Sequence, residues 1–236
     1  MKPVAIFRHF PTEGPGYLAT FLDSHSIPWQ LIKIDSGGWV PSTPDAFGGL
    51  VFMGGPMSVN DDLPWIPPVL SLIRHAVEDG IPVLGHCLGG QLMSKALGGV
   101  VEPSPIKEIG WGEVYLADNP VAPRWVGGKA IFEVFHWHGE TFTLPEGSTL
   151  LFSSPYCQNQ AFALDNHLGL QCHVEMTEEM VITWCKTGAR EIAASAGPGV
   201  EPVAAIQMRL VERVSALNKI ADKLYEKWIL GLKSEA

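Results

Sequence analysis

The first half of the chain alternates short apolar runs with stretches whose apolar residues recur at helical spacing. "VAIFRH" (4–9), "WQLIKID" (29–35), "LVFMGG" (50–55) and "IPVLGHC" (81–87) each end in turn or polar residues and read as buried strands. Between them, "GYLATFLDSHS" and "PWIPPVLSLIRHAVEDG" read as helices. Pro67 and Pro68 suit the opening turn of the second, and Gly80 its end. Strands buried on both faces and joined by helical crossovers predict an α/β fold with a doubly wound, mostly parallel sheet.

From about residue 100 the pattern shortens. "GEVYLAD" (112–118), "FEVFHWHG" (132–139), "STLLFSSP" (148–155) and "QAFAL" (160–164) suggest antiparallel strands and hairpins. "LGLQCHVE" (168–175) reads as a buried strand with a polar end. "TEEMVITWCKTG" reads as a helix with Thr177 as N-cap and Gly188 as stop. A Gly/Pro joint, "SAGPGVEP" (195–202), precedes an amphipathic helix near 203–231, where Ile206, Leu210, Val214, Leu217, Leu224 and Trp228 recur at three- to four-residue steps. The expected organisation is a catalytic domain over 1–190, with 191–236 as linker and amphipathic helix packed on or extending it.

Composition narrows the class of function. The 236 residues are 46% hydrophobic and 17% charged, as a chain with a sizeable core should be. A formal net charge of −9 argues against nucleic acid or anionic membrane as the main partner. The apolar run near the N-terminus is too short for a signal-peptide core, and none approaches the roughly 18 residues of a membrane span. Cys87, Cys157, Cys172 and Cys185 form no CxxC pair, so reduced thiols in a cytoplasm are expected. Without a phosphate-binding lysine loop or a dinucleotide fingerprint, no cofactor is implied.

The candidate chemistry centres on Gly85-His86-Cys87-Leu88-Gly89-Gly90, which follows a strand and precedes the helix-forming "QLMSKAL". This is a strand–nucleophile–helix elbow with Cys in the nucleophile slot. The turn puts the sulfur at a helix N-terminus, and the Leu88 N–H can stabilise an oxyanion. "QCHVE" supplies His173 and Glu175, which strand alternation would place on one face as base and orienting acid. "VFMGGPMS" ends a strand in Gly-Gly-Pro, which reads alone as a tight turn and beside the elbow as a place where the Gly55 N–H can be a second oxyanion donor. "FHWHGETF" brings His136 and His138 together, so a metal site competes.

These four segments, in this order, resemble class I (triad, GATase1-type) glutamine amidotransferases, most closely stand-alone members similar to the glutaminase domain of GMP synthase. The resemblance covers residues 1 to about 190. It implies a flavodoxin-like sheet, here with a C-terminal helical appendage, and hydrolysis of the glutamine side-chain amide through a γ-glutamyl thioester. On that resemblance Cys87 is the nucleophile, His173 the base and acid, and Glu175 the orienting acid. Gly55 and Leu88 supply the oxyanion hole, and Gln91, Trp137, His138 and Gly139 contact substrate. Neither metal nor cofactor is part of the implied set.

The chain departs from the family pattern in two places. Cys172-His173-Val174-Glu175 stands where an aromatic and His-Pro-Glu are usual, and His86, read as a partly exposed packing residue, stands where a small apolar residue is usual. With no synthetase domain following residue 190, the implied partner for ammonia is a separate synthetase or acceptor subunit. The same triad also fits a γ-glutamyl peptidase or hydrolase. A metal-dependent hydrolase at His136 and His138 and a non-catalytic regulatory subunit are the readings from other classes. In "IKEIGWGEV", Lys107, Glu108 and Glu113 read as a solvated strand edge, and Trp184 reads as packing.

Overall fold

The structure is a computed structural model that describes residues 1–234. Nine strands form one sheet: β1 (Val4–Arg8), β2 (Trp29–Lys33), β3 (Gly49–Phe52), β4 (Val83–His86), β5 (Val101–Leu116), β6 (Ile131–Phe142), β7 (Thr149–Ser153), β8 (Ala161–Leu164) and β9 (His167–Leu170). Their order is β2-β1-β3-β4-β9-β8-β7-β5-β6. The four pairings from β2 to β9 are parallel and the four beyond β9 are antiparallel. Only β8 and β5 therefore run against the rest, and the sheet is mostly parallel, as the alternation predicts.

Side-chain alternation sorts the β1 residues between two cores. Val4 and Ile6 face one cluster, shared with Leu18, Phe21 and Leu22 of α1 (Tyr17–Ser24). Ala5 and Phe7 face the other, shared with α2 (Ile66–Glu78) and α3 (Leu88–Ala96). Past the sheet's midpoint come the short helices α4 (Pro123–Val126), α5 (Glu178–Thr187), α6 (Ala189–Ala194) and α7 (Val203–Ile206), then α8 (Leu210–Ile229). Thr177 caps α5 by accepting from the Met180 N–H at 3.2 Å. Helix α8 joins the α1 face through Val214, Leu217, Leu224, Tyr225 and Trp228, all buried. The expected single helix over 203–231 is instead two, because Arg209 adopts φ 54 and interrupts it.

Strand boundaries depart from the sequence reading in two places. β5 starts at Val101, well before the apolar run at 112, and its register with β6 shifts between Pro103 and Glu108. That irregularity accommodates prolines that a regular ladder would reject. β9 ends at Leu170, so "QCHVE" lies beyond the strand.

The elbow glycines are packing positions. A Cβ on Gly89 would run into the Phe52 carbonyl, one on Gly90 into the Leu170 carbonyl, and one on Gly85 into the Gly89 backbone. Helix α3 therefore sits directly on β3 and β9, holding its N-terminus at the strand ends. Gly89→Ala is expected to cost about 1–3 kcal/mol, read as a lowered urea midpoint with an unchanged slope.

Candidate active site

Cys87 occupies the turn between β4 and α3 with φ 50 and ψ −106, a left-handed conformation that costs a non-glycine residue energy. Its N–H donates to the Leu170 carbonyl at 2.8 Å, tying the elbow to the end of β9. The sulfur lies 3.7 Å from the Trp137 carbonyl and 3.7 Å from the Gln171 side-chain amide. Neither the Gly55 nor the Leu88 N–H is taken by another backbone carbonyl, and both belong to turns beside the thiol.

His173 and Glu175 meet, but not on a strand. The His173 N–H donates to the Phe135 carbonyl at 2.8 Å, an isolated bridge that keeps this segment extended after β9 has ended. Alternation therefore survives locally, and His173 Nδ1 lies 2.6 Å from Glu175 Oε1. The Cys87 thiol lines the same cavity as the ring and lies close enough for its charge to act on it. Burial works against a charge on His173, but Glu175 and Cys87 outweigh it and hold the imidazole well above its ordinary value. Burial likewise works against the Glu175 carboxylate, and the flanking imidazoles of His86 and His173 bring it down to about 2. Trp184 stands edge-on against His173, with ring centres 4.8 Å apart.

Where partial exposure was expected, His86 is fully buried. Helix α8 covers it. Its Nε2 lies 3.1 Å from the Tyr225 hydroxyl and 3.7 Å from Glu175 Oε2, an oxygen with no hydrogen bond of its own. Burial lowers the His86 pKa and favours the neutral ring.

These groups open on a cavity of about 700 Å³, lined among others by Gly55, Cys87, Gln91, Trp137, His138, Gly139 and His173. Leu88, fully buried, is not among the lining residues. The Gln91 amide donates to Gln171 Oε1 at 3.2 Å. Trp137 donates from its indole to Glu191 at 3.0 Å. Two further residues on the cavity wall, Glu13 and Trp184, carried no motif signal because they reach it from distant segments.

Behind His138 lies a buried polar cluster. Glu108, expected at a solvated edge, is 3% exposed, because the irregular part of β5 turns it inward. Glu108, His136 and His138 present their ligand-forming atoms within 4.8 Å of one another. Glu108 Oε2 accepts from Ser154 at 3.0 Å and Gln160 at 2.8 Å, and lies 3.2 Å from His138 Nε2. His138 Nδ1 lies 3.0 Å from the Glu140 carbonyl. Both ring nitrogens of His138 are therefore engaged within the protein, one by Glu108 and one by the Glu140 carbonyl. His136 has no hydrogen bond at either nitrogen, and burial lowers it to about 4.

An elbow cysteine and a downstream His–Glu pair at the carboxyl ends of parallel strands define a class of protein, and the sequence profile described as glutamine amidotransferase class-I matches residues 30–181. The chain belongs to that family. It is 32% identical over 180 residues to the glutamine amidotransferase-like protein YfeJ of Salmonella typhimurium, spanning 73% of this chain and 74% of that one. Against the GMP synthase of Thermomicrobium roseum it is 37% identical over 131 residues, covering 54% of this chain and only 23% of the synthase. The crystal structure of a glutamine amidotransferase from Methylobacillus flagellatus superposes with a TM-score of 0.97 at 42% identity, over 100% of this chain and 97% of that one. No helix among the described residues is long and apolar enough to cross a membrane.

Proposed function

We propose that this chain hydrolyses the side-chain amide of glutamine by way of a γ-glutamyl thioester on Cys87. The observation that carries the reading is the contact of His173 with Glu175 at 2.6 Å, on the wall of the cavity that the Cys87 thiol also lines. In this mechanism His173 takes the thiol proton and Cys87 attacks the amide carbonyl. The Gly55 and Leu88 N–H groups receive the oxyanion. His173 then protonates the leaving nitrogen and activates the water that releases glutamate. Gln91, Trp137, His138 and Gly139 hold the amino-acid end. Ammonia passes to an acceptor, for which a separate synthetase subunit in the cytoplasm is the proposed partner. Residues 1–190 form the catalytic domain in this reading, with 191–236 as linker and amphipathic helix packed on or extending it.

The cavity favours a second substrate reading. At about 700 Å³ it falls in the range of sites that enclose drug-sized ligands, so a larger γ-glutamyl compound fits the same triad. Incubation with a diazo-ketone analogue of glutamine, followed by peptide mass mapping, is expected to place the adduct on Cys87 and to be blocked by glutamine. Absence of an adduct, or equal labelling of Cys157 and Cys185, would refute the thiol-hydrolase reading.

A further inference from the structure

The segment between β1 and α1 brings a carboxylate to the cavity beside Cys87, His173 and Trp184: that of Glu13. Glu13 Oε2 fills the space that a Cβ on Gly54 would need, and His173 Cε1 lies 3.1 Å from that same point. The carboxylate and the imidazole therefore meet over the Gly54–Gly55 turn.

Four carboxylates line this cavity. Asp61 accepts from the Ser58 N–H at 2.9 Å and Glu140 from the Ser58 hydroxyl at 2.9 Å. Glu191 accepts from Lys107 at 2.7 Å and from the Trp137 indole at 3.0 Å. Glu13 alone has no protein donor among the described residues. Burial pushes its carboxyl up to about 7, against the pull of His173 and with the help of Glu175. Half-buried on the cavity wall, this carboxylate faces the cavity with no cationic or N–H partner among the described residues.

The segment is also docked on the triad, so the placement of Glu13 is built in. The Tyr17 N–H donates to the Glu175 carbonyl at 2.8 Å. Gly16, at φ 50, is pressed against that same carbonyl, where any side chain would collide. The Trp184 indole donates to the Thr12 carbonyl at 2.9 Å while its ring packs on His173.

Acylation requires His173 to hand its proton to the amide nitrogen, so the departing amine sits at the cavity edge of the imidazole. Resting on the thiol-hydrolase reading above, we propose that Glu13 is a catalytic residue forming a leaving-amine subsite, its carboxylate accepting an N–H of the departing ammonia or primary amine. The Cys87 sulfur bonds to the carbonyl carbon, the C–N bond breaks, and His173 supplies the proton to nitrogen. Glu13 accepts a hydrogen bond and takes no proton. The ligand class is an amine, from glutamine or from a γ-glutamyl amide.

The test compares L-glutamine with the γ-methyl ester of L-glutamate, whose departing oxygen carries no hydrogen to donate. Glu13→Gln is expected to lower kcat/KM for glutamine about 10- to 100-fold, and for the ester by no more than about threefold. Should that variant not fold, Glu13→Asp, which withdraws the charge by one methylene, is expected to show the same amide-selective loss. Equal losses on both substrates, or none on glutamine, overturn the role of Glu13 while leaving the Cys87 reading standing. A wild-type chain that turns over neither substrate and takes no label on Cys87 overturns both.

Discussion

Cys87→Ala is expected to abolish ammonia release from glutamine, a loss of about 10⁴-fold or more, as when any nucleophile of a cooperating triad is removed. The fold should survive. The Cys87 N–H bond to Leu170 is a backbone contact that alanine keeps, and the hydrogen bonds lost with the sulfur are long, one donated to the Trp137 carbonyl and one accepted from the Gln171 amide, both at 3.7 Å. The measurement is glutamate formation by wild type and variant at matched thermal midpoints. Cys87→Ser is the sharper companion, because it retains a hydroxyl of similar size at the same strained φ of 50. A serine variant as inert as alanine points to the sulfur itself. Turnover that persists in Cys87→Ala and falls in His136→Ala or Glu108→Gln would move the chemistry to the buried cluster behind His138.

The relation of sequence to structure is uneven, and local geometry explains why. The glycines of "GHCLGG" announce the elbow because each meets backbone at a distance that excludes a side chain, a constraint written within six consecutive residues. The buried parallel strands and the helices between them follow from apolar-run and period-3.6 patterning, whereas the order of the nine strands does not. His173 and Glu175 are adjacent as expected, but through the bridge to Phe135 rather than through a strand. Glu108 is buried although charged neighbours and prolines disguise its strand. Glu13 reaches the cavity only because the Gly16 turn docks on the backbone of Glu175, a contact 159 positions away in sequence. His86 is buried by Tyr225, on a helix that periodicity alone does not place on any face of the sheet. What sequence shows is what one segment dictates about itself, and what it conceals is which segments touch.

Glu175→Gln is expected to lower turnover by about 10³- to 10⁴-fold, the size of effect seen when the orienting acid of a triad becomes an amide. The amide cannot balance an imidazolium, and it can present an N–H to Nδ1, favouring the tautomer that cannot take the thiol proton. Burial then dominates His173, whose imidazole should titrate below its ordinary 6.5 instead of well above it. NMR titration of that ring in wild type and variant reads the change directly. The same substitution has a signature in stability. Glu175 is depressed from 4.5 to about 2, so its contribution is full above about pH 4.5 and lost as pH falls toward 2. His173 is raised, so its contribution is full below about 6.5 and lost as pH rises through its folded value. Wild type should therefore lose stability from this pair at both ends of the range, whereas Glu175→Gln should show no alkaline-side loss and should instead lose stability as pH falls below about 6.5, where its His173 must charge while buried. A variant that keeps the wild-type pH profile of unfolding, with His173 still titrating high, would mean that the 2.6 Å contact is not an ion pair. His86, 3.7 Å from the second oxygen of Glu175, would then be the first residue to examine as the carboxylate's true partner.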